Sequence, residues 1–233
     1  MLKIELHAHT ADDPVDRIPH TAGELIDRAA ELGYGALAIT LHERQLDVTP
    51  LVPYAAERGV TLIPGVERTV EGRYVLLLNF RRGAEGVRTF EELARLRQRE
   101  TGLVIAPHPF FPLTSCLRGC INRYASLFDA AEINAMFTAT VNFNRPTERW
   151  AARFGKPLVG NGDIHRLRQL GSTYSVVDAE ADPDAICAAI AAGRVRVESR
   201  PMPWAEIASV LGGLVLGDVA RWWEARARPA QTR

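Results

Sequence analysis

The residues most suited to chemistry begin with a His-x-His motif at His7 and His9. Leu2, Ile4 and Leu6 precede it and alternate with polar residues, which is the period-two pattern of a strand. Side chains two positions apart on a strand share a face, so both imidazoles point the same way. Their Cα atoms lie about 6–7 Å apart from the rise per residue, so the pair can bind one metal ion. Taken alone this is weak evidence, because two unrelated histidines can share the same spacing.

Five more side chains of the metal-binding types follow the ends of later predicted strands. They are His42, Glu67, His108, Asp163 and His165. Five of the six histidines lie at such ends, and only His20 does not. In a β/α barrel the carboxyl ends of the strands face one mouth, where active sites lie. The motif and the five additional residues are therefore predicted to form one metal centre.

The residue types indicate which ions would bind. Imidazoles and carboxylates without sulfur suit zinc, manganese or iron. Six or seven ligands are too many for one tetrahedral ion, so two or three divalent ions are expected. A carboxylate such as Glu67 can bridge two ions, and ions about 3.5–4 Å apart can hold an oxyanion together with a hydroxide. The alternative is a set of polar strand ends that only hydrogen-bond to loops.

Short apolar strands that alternate with helices must position these residues. Strand patterns occupy residues 2–6, 36–40, 60–66, 73–80, 103–106, 129–133 and 157–160, with further strands at 173–177 and 195–198. Helices are predicted at residues 21–32, 49–59, 89–100, 117–127, 145–154 and 183–192. The alternation indicates an α/β protein with a parallel sheet. Seven such strands, without a glycine-rich phosphate loop after the first, favour a barrel over an open sheet.

Composition and charge are ordinary for a globular protein. The 233 residues are 47% hydrophobic and 24% charged, with 28 basic and 28 acidic side chains. Zero net charge gives no general attraction to nucleic acid or to a membrane surface. Three cysteines are too few for a disulfide framework and are interpreted as thiols in a reducing cytoplasm. The chain begins directly with a strand, and its longest apolar stretch, residues 207–217, is too short to span a bilayer, so a cytoplasmic protein is expected.

Residues 1–200 are predicted to form the barrel, and residues 201–233 a C-terminal helical extension and tail. The region 204–225 is apolar on several sides and is expected to pack on the barrel or on another subunit, which leaves a homo-oligomer open. Residues 226–233 are expected to be disordered.

Six segments of the chain resemble the PHP (polymerase and histidinol phosphatase) superfamily of metal-dependent phosphoesterases. They are His7-Ala-His9-Thr10, Ile39-Thr40-Leu41-His42, Gly65-Val66-Glu67, Pro107-His108-Pro109, Glu132-Ile133-Asn134 and Gly162-Asp163-Ile164-His165, and they follow the order of the family from residue 2 to about residue 178. The resemblance implies a distorted seven-stranded β/α (TIM-like) barrel with a two- or three-metal site. It also implies phosphoester hydrolysis by a metal-bound hydroxide, with Glu67, Asp163 and His165 as catalytic residues.

The resemblance also assigns the ligands to three ions. It implies a first ion held by His7, His9, Glu67 and Asp163, a second held by Glu67 and His108, and a third held by His42, His165 and an acidic residue of the loop after His9. Asp16 is favoured for that last ligand, while Asp12 and Asp13 remain open.

Two positions depart from the family pattern. Leu41 stands where the family usually has Asp before the histidine of the second strand. Asn79 stands near the end of the fourth strand, where many members carry a histidine on the second ion. An amide oxygen is a weaker ligand than an imidazole, so we expect the second ion to be bound loosely or to be completed by water.

Three arginines lie one or two residues beyond a proposed ligand. They are Arg44, Arg68 and Arg166. Guanidinium forks suit phosphate oxygens, so these are predicted to bind substrate, although each is equally suited to a structural or solvated role. With zero net charge, a small phosphomonoester or nucleotide is favoured over a nucleic-acid polymer, which remains open.

The predicted function is therefore a metal-dependent phosphoesterase acting on a small phosphorylated substrate. The alternatives are a nuclease on the same scaffold and a degenerate PHP domain with a structural or binding role. An amidohydrolase also begins with His-x-His on a barrel strand, and that family often bridges two metals with a modified lysine. The two lysines of this chain, Lys3 and Lys156, lie away from the predicted strand ends.

Overall fold

Strands and helices alternate along the computed structural model, which describes residues 1–210 and Gly212. The strands in this part of the chain are β1 (Leu2–Glu5), β2 (Ala36–His42), β3 (Thr61–Val70), β4 (Arg73–Leu78), β5 (Leu103–Ala106), β6 (Ala130–Asn134), β7 (Leu158–Asn161), β8 (Thr173–Val177) and β9 (Val195–Ser199). The α-helices are α1 (Ala22–Glu31), α2 (Val52–Ala56), α3 (Phe90–Arg99), α4 (Arg145–Phe154) and α5 (Pro183–Ala191). Two short 3₁₀ helices, Arg118–Asn122 and Ala125–Leu127, replace the helix predicted at 117–127.

All the strands in the described part of the chain join one mixed sheet in the order β7-β6-β5-β4-β3-β2-β1-β8-β9. The parallel pairs are β1 with β2, β2 with β3, β5 with β6, and β6 with β7. β4 is antiparallel to both of its neighbours, and β8 and β9 form an antiparallel edge beside β1. The TIM-like barrel class is thus confirmed, while the prediction of seven strands is too low because β8 and β9 belong to the same sheet.

The sheet nearly closes on itself through the segments that follow β1 and β7. His9 N donates to Ile164 O and Ile164 N donates to His7 O, each at 3.0 Å, so Ala8 and Ile164 form a parallel bridge. At Gly160 the chain passes so close to β8 that an added Cβ would lie 2.7 Å from Tyr174 O. Closure therefore occurs where the His-x-His motif meets the segment after β7.

Helix caps and apolar side chains hold the barrel in this form. Thr21 and Thr89 each accept a hydrogen bond from the third residue of the following helix, and a glutamate there completes a capping box, as the sequence predicts. Ile186 and Ile190 of α5 are buried against the amino ends of the parallel strands. Because α5 covers that end, the opposite end of the barrel is the one left for a site.

The start of the C-terminal extension packs on the barrel. Residues 204–210 are helical, Met202 N donates to Phe137 O at 2.8 Å, and Met202 and Ile207 are buried with Ala135. The remainder of the predicted apolar helix and the tail 226–233 lie outside the described residues. In the described part of the chain, no helix combines the length and hydropathy needed to cross a bilayer.

Candidate metal centre

The predicted ligands converge at the mouth formed by the carboxyl ends of β1, β2, β5 and β7. The buried members of the set are His7, His9, His42, Glu67, His108 and His165, and Asp163 is partly exposed. Glu67 lies within β3, which continues to Val70, so the prediction that this strand ends at Glu67 is wrong. The carboxylate nevertheless points into the mouth beside the imidazoles.

Glu67 lies at the middle of the set. Its Oε2 is 3.4 Å from His7 Nε2, 3.6 Å from His9 Nε2 and 3.1 Å from His42 Nε2. Its Oε1 is 3.6 Å from His108 Nε2. One carboxylate with a separate imidazole on each oxygen is the arrangement that a bridging ligand between two ions requires.

Asp163 also faces the imidazoles of His7 and His9, and it adds that of His165. Its Oδ1 lies 3.4 Å from His7 Nε2, 3.5 Å from His9 Nε2 and 3.3 Å from His165 Nδ1. The backbone at Asp163 has φ = 51°, and that at His108 has φ = 27°. Both values are uncommon for residues other than glycine, and such backbone strain is often found at functional sites.

Unpaired polar atoms show that this site suits cations. Among the described residues, His7 Nε2, His9 Nε2 and Glu67 Oε1 are buried without a hydrogen-bond partner. Leaving such atoms unpaired is costly, and here they face one another. Ligand atoms of these three residues lie within 4.8 Å of one another, as do those of His9, Asp163 and His165. Zn²⁺ forms bonds of about 2 Å to such atoms, so the donor set fits divalent ions.

Two of the three acidic candidates of the loop after β1 reach the centre. Asp13 Oδ2 lies 2.9 Å from His9 Nδ1 and 3.0 Å from His42 Nδ1, so it orients two rings with Nε2 towards the middle. Asp16 Oδ2 lies 3.1 Å from His165 Nε2. Asp12 is exposed. The choice thus narrows to Asp13 and Asp16, with Asp16 beside the atom of His165 that would bind an ion.

Glu132 holds His7 from behind. Its Oε2 lies 2.8 Å from His7 Nδ1 and accepts a hydrogen bond from Asn161 Nδ2 at 3.0 Å. Its Oε1 accepts from Asn134 Nδ2 at 2.9 Å and from His108 N at 3.3 Å. A carboxylate that accepts from Nδ1 leaves Nε2 free as a metal ligand. The sequence identified the Glu132 motif but assigned this carboxylate no role.

We predict that Glu132→Gln weakens metal affinity by about 10–100-fold. The glutamine NH₂ group would replace either Oε2, which faces His7 and Asn161, or Oε1, which faces Asn134 and His108 N, and in both places it would meet hydrogen-bond donors. Opposite His7 it would favour the tautomer with hydrogen on Nε2, which cannot bind an ion. Titration of the metal-free protein with zinc or manganese measures the affinity, and Glu148→Gln on the exposed face of α4 is the matched control. Equal affinities for the two variants would show that Glu132 does not position His7.

Opposite charges in the centre stabilise one another. Burial disfavours charge on His7, but Asp163 and Glu132 outweigh burial and raise the pKa of His7 well above its ordinary value. Burial also opposes charge on Glu67, but His7 and His42 outweigh it and hold the pKa of Glu67 well below its ordinary value. Metal ions must therefore compete with protons for the imidazoles, as they do in other histidine sites.

A second buried carboxylate supports the strand ends. Glu5 Oε1 accepts from His7 N at 3.0 Å, and Oε2 accepts from Gly162 N at 2.9 Å. Burial raises the pKa of Glu5 to about 8. The alternating pattern of β1 indicates only that Glu5 lies on the polar face of the strand. In the structure, the Glu5 carboxylate joins β1 to the segment that carries Asp163.

The fourth strand contradicts the prediction for Asn79. Because β4 is antiparallel, Asn79 lies at the end opposite the metal centre, where Nδ2 donates to Asp184 Oδ1 at 2.6 Å. The interpretation of Asn79 as a substitute metal ligand is wrong. Tyr74, at the start of β4, reaches the mouth instead, with its ring centroid 5.5 Å from that of His42. Burial and the nearby carboxylates raise the pKa of Tyr74 to about 12.

One cysteine also contacts the centre. Cys116 is buried, and its Sγ lies 3.3 Å from His108 Nδ1. From the sequence the cysteines are interpreted as ordinary thiols, and nothing in their spacing indicates this contact. Cys116 thus lies behind His108 much as Glu132 lies behind His7.

The three arginines differ in their surroundings. Arg68 is buried on the opposite face of β3 from Glu67, pairs with Glu43 and donates through Nε to Val87 O at 2.8 Å. This structural role contradicts the prediction that Arg68 binds substrate. Arg44 is exposed and donates to the carbonyl of Asp12, while Arg166 is half-buried beside His165. The structure leaves these two as candidates.

Comparison with known proteins supports the family resemblance. Residues 141–195, less than half of the chain, match the PHP-associated family PHP_C. No curated protein gives a significant sequence match.

Solved structures share the fold at low sequence identity. PsfC from Pseudomonas syringae superposes with a TM-score of 0.64 at 18% identity, covering 95% of this chain and 98% of that one. A two-domain protein from Bacteroides vulgatus, containing a predicted PHP-like metal-dependent phosphoesterase, gives 0.62 at 14%, covering 93% and 69%. The lesion-specific endonuclease Q from Pyrococcus furiosus gives 0.55 at 16%, covering 84% and 57%. With the PHP_C match, these likenesses confirm the resemblance to the PHP superfamily.

Proposed function

We propose that this protein is a metal-dependent phosphoesterase that hydrolyses a small phosphate monoester or nucleotide at two or three divalent ions. One observation carries the proposal. Glu67 lies among four imidazole Nε2 atoms at 3.1–3.6 Å, with Asp163 facing the same group. This set of anionic and neutral donors suits two or more ions far better than a hydrogen-bonded core, because several of its buried atoms lack partners.

The ligands divide into groups that support this reading. His7, His9, Glu67 and Asp163 would hold one ion, Glu67 and His108 a second, and His42, His165 and Asp16 a third. When bound, zinc, manganese or iron would supply Lewis acidity and lower the pKa of a coordinated water. Glu67, Asp163 and His165 are the proposed catalytic residues because they lie beside the space where phosphate would enter.

The protein supplies orientation and shape around these ligands. Asp13 and Glu132 fix the imidazoles behind the ligand atoms. A cavity of about 280 Å³ opens directly onto Asp16, Glu67, Tyr74 and His165. Its size suits a phosphate group with a small alcohol, and the half-buried Arg166 beside His165 is the candidate for a phosphate oxygen.

The fold of endonuclease Q keeps a nuclease as the second candidate. A nuclease would cleave short oligonucleotides and lose affinity steeply as salt rises, because phosphate contacts release counterions. A small-molecule phosphatase would show little of either behaviour. A degenerate domain would bind no metal. The near-complete set of candidate ligands argues against this alternative.

We expect gently purified protein to carry at least two transition-metal ions per chain. Elemental analysis measures the content, before and after addition of manganese or zinc. The loaded protein is then tested against phosphorylated metabolites and short oligonucleotides. One ion or fewer at full occupancy would contradict the multinuclear centre.

A further inference from the structure

A second cavity adjoins the metal centre and is almost wholly apolar. Its volume is about 320 Å³, and it shares His108, Asn134 and Asp163 with the centre. Away from that shared wall its lining includes Phe111 and Phe143. A group bound there would therefore lie next to any phosphate held at the mouth. We call this space the apolar cavity.

Large apolar side chains around this cavity are exposed to solvent. Leu113 is 54% exposed, Val141 39%, Phe143 38% and Trp204 59%. They come from three separate segments of the chain and meet at one place. Isolated apolar side chains on a surface need no explanation, but a concave group of them beside a polar centre is typical of ligand sites.

The wall of the cavity is held in place by its own contacts. Asn144 Nδ2 donates to Asn134 O at 2.8 Å, and Asn134 N donates to Asn144 Oδ1 at 3.0 Å, so both ends of the loop between them are tied together. The rings of Phe111 and Phe143 pack with centroids 5.5 Å apart. The cavity is thus formed before a ligand arrives, which lowers the cost of binding.

Few polar groups are available on this wall. Apart from the residues shared with the centre, the lining in the described part of the chain offers two polar side-chain groups, the hydroxyl of Thr138 and the indole N–H of Trp204. Thr138 Oγ1 already accepts from Val141 N at 2.9 Å. A sugar placed here would replace few of the hydrogen bonds that it makes to water, which is costly. A hydrocarbon group would gain from leaving water.

We propose that the apolar cavity binds an aryl or comparably bulky hydrocarbon group of the substrate's alcohol while the phosphate lies at the metal centre. The inference rests on the proposed function and narrows its substrate class to small phosphate monoesters of apolar alcohols. Phe143 and Val141 then act as specificity residues, since they touch the alcohol and not the phosphate.

The test compares two phosphate monoesters of similar charge that both release an aliphatic alcohol, 2-naphthylethyl phosphate and glycerol phosphate. We expect the manganese-loaded full chain to show at least tenfold higher kcat/KM on the naphthylethyl ester, as is typical of an apolar pocket. Phe143→Ala should raise KM for that ester by about tenfold, leave its kcat nearly unchanged and leave glycerol phosphate unaffected. Val52→Ala, which truncates a side chain 47% exposed on α2, is the matched control.

Binding gives a readout that does not depend on turnover. Calorimetry with naphthylphosphonate should show a more negative heat-capacity change than with methylphosphonate, and Phe143→Ala should reduce that difference. Equal turnover of both esters, with Phe143→Ala without effect, would overturn the inference and leave the proposed function standing. If neither ester is hydrolysed with any metal, the proposed function fails. If, in addition, Phe143→Ala leaves the affinity for naphthylphosphonate unchanged, the proposal for the apolar cavity is overturned as well. Failure of the full chain to bind naphthylphosphonate also overturns it.

Discussion

Replacing Glu67 with Gln is expected to lower phosphoesterase activity by about a hundredfold or more, by analogy with the loss of a charge-stabilising group. Glu67 is the side chain that contacts the imidazoles of His7, His9, His42 and His108 together. Glutamine keeps one acceptor oxygen but turns an NH₂ group towards some of these rings. It also removes the negative charge that would offset two divalent ions, so one or more ions should be lost as well.

The measurements for Glu67→Gln are kcat/KM on the best phosphoester and metal content by elemental analysis. Glu57→Gln is the matched control, because its side chain is 77% exposed on the surface. Circular dichroism should show the same fold in all three proteins, since the substitution removes no apolar contact. Wild-type activity and metal content in Glu67→Gln would mean that the ions, if present, bind elsewhere.

Asp163→Asn and His165→Ala are expected to reduce activity to a similar extent, about a hundredfold or more. Both residues follow β7 at the mouth, where Asp163 lies 3.3 Å from His165 Nδ1. Asparagine is the suitable replacement at Asp163 because it tolerates the left-handed backbone there, where φ is 51°. Each loss should misplace an ion that neutralises phosphate, and the packing of the barrel should remain intact.

Melting curves separate this effect from misfolding. The metal-free variants should melt close to the metal-free wild type, whereas the gain in melting temperature on adding metal should be smaller, because bound ligand stabilises by mass action. Asp178→Asn, at an exposed position just after β8, is the control. If both variants keep wild-type turnover and metal content, this centre is not the active site and a binding role for the domain gains support.

Local patterns in the sequence determined much of the fold and of the centre. Alternation of Leu2, Ile4 and Leu6 placed β1, and the Thr21 and Thr89 capping boxes placed the starts of α1 and α3. Metal-binding residue types then recurred at predicted strand ends, and parallel strands carry their ends to one mouth. This regularity predicted that the seven candidate ligands would lie together, without knowledge of any contact between them.

The reversal of β4 shows where such patterns are incomplete. No helix lies between β3 and β4, and a parallel pair cannot be joined so briefly. The connection is a hairpin at Glu71 and Gly72, both with positive φ, which is the type I′ turn preferred between antiparallel strands. Recognising this turn in the sequence would have predicted that Tyr74, and not Asn79, lies at the mouth.

Only the tertiary structure decided which neighbours surround each ligand. Asp13 rather than Asp12 turns towards His9 and His42, and Cys116 lies behind His108, because loops are placed by contacts distant in sequence. Arg68 leaves the site because successive side chains on a strand face opposite ways and the barrel fixes which way is inward. The apolar cavity likewise joins segments around residues 113, 141 and 204 that share no local pattern. The sequence by itself determined which residues could bind metal, through strand periodicity and strand ends, whereas closure of the sheet determined which groups orient them and what lies beside them.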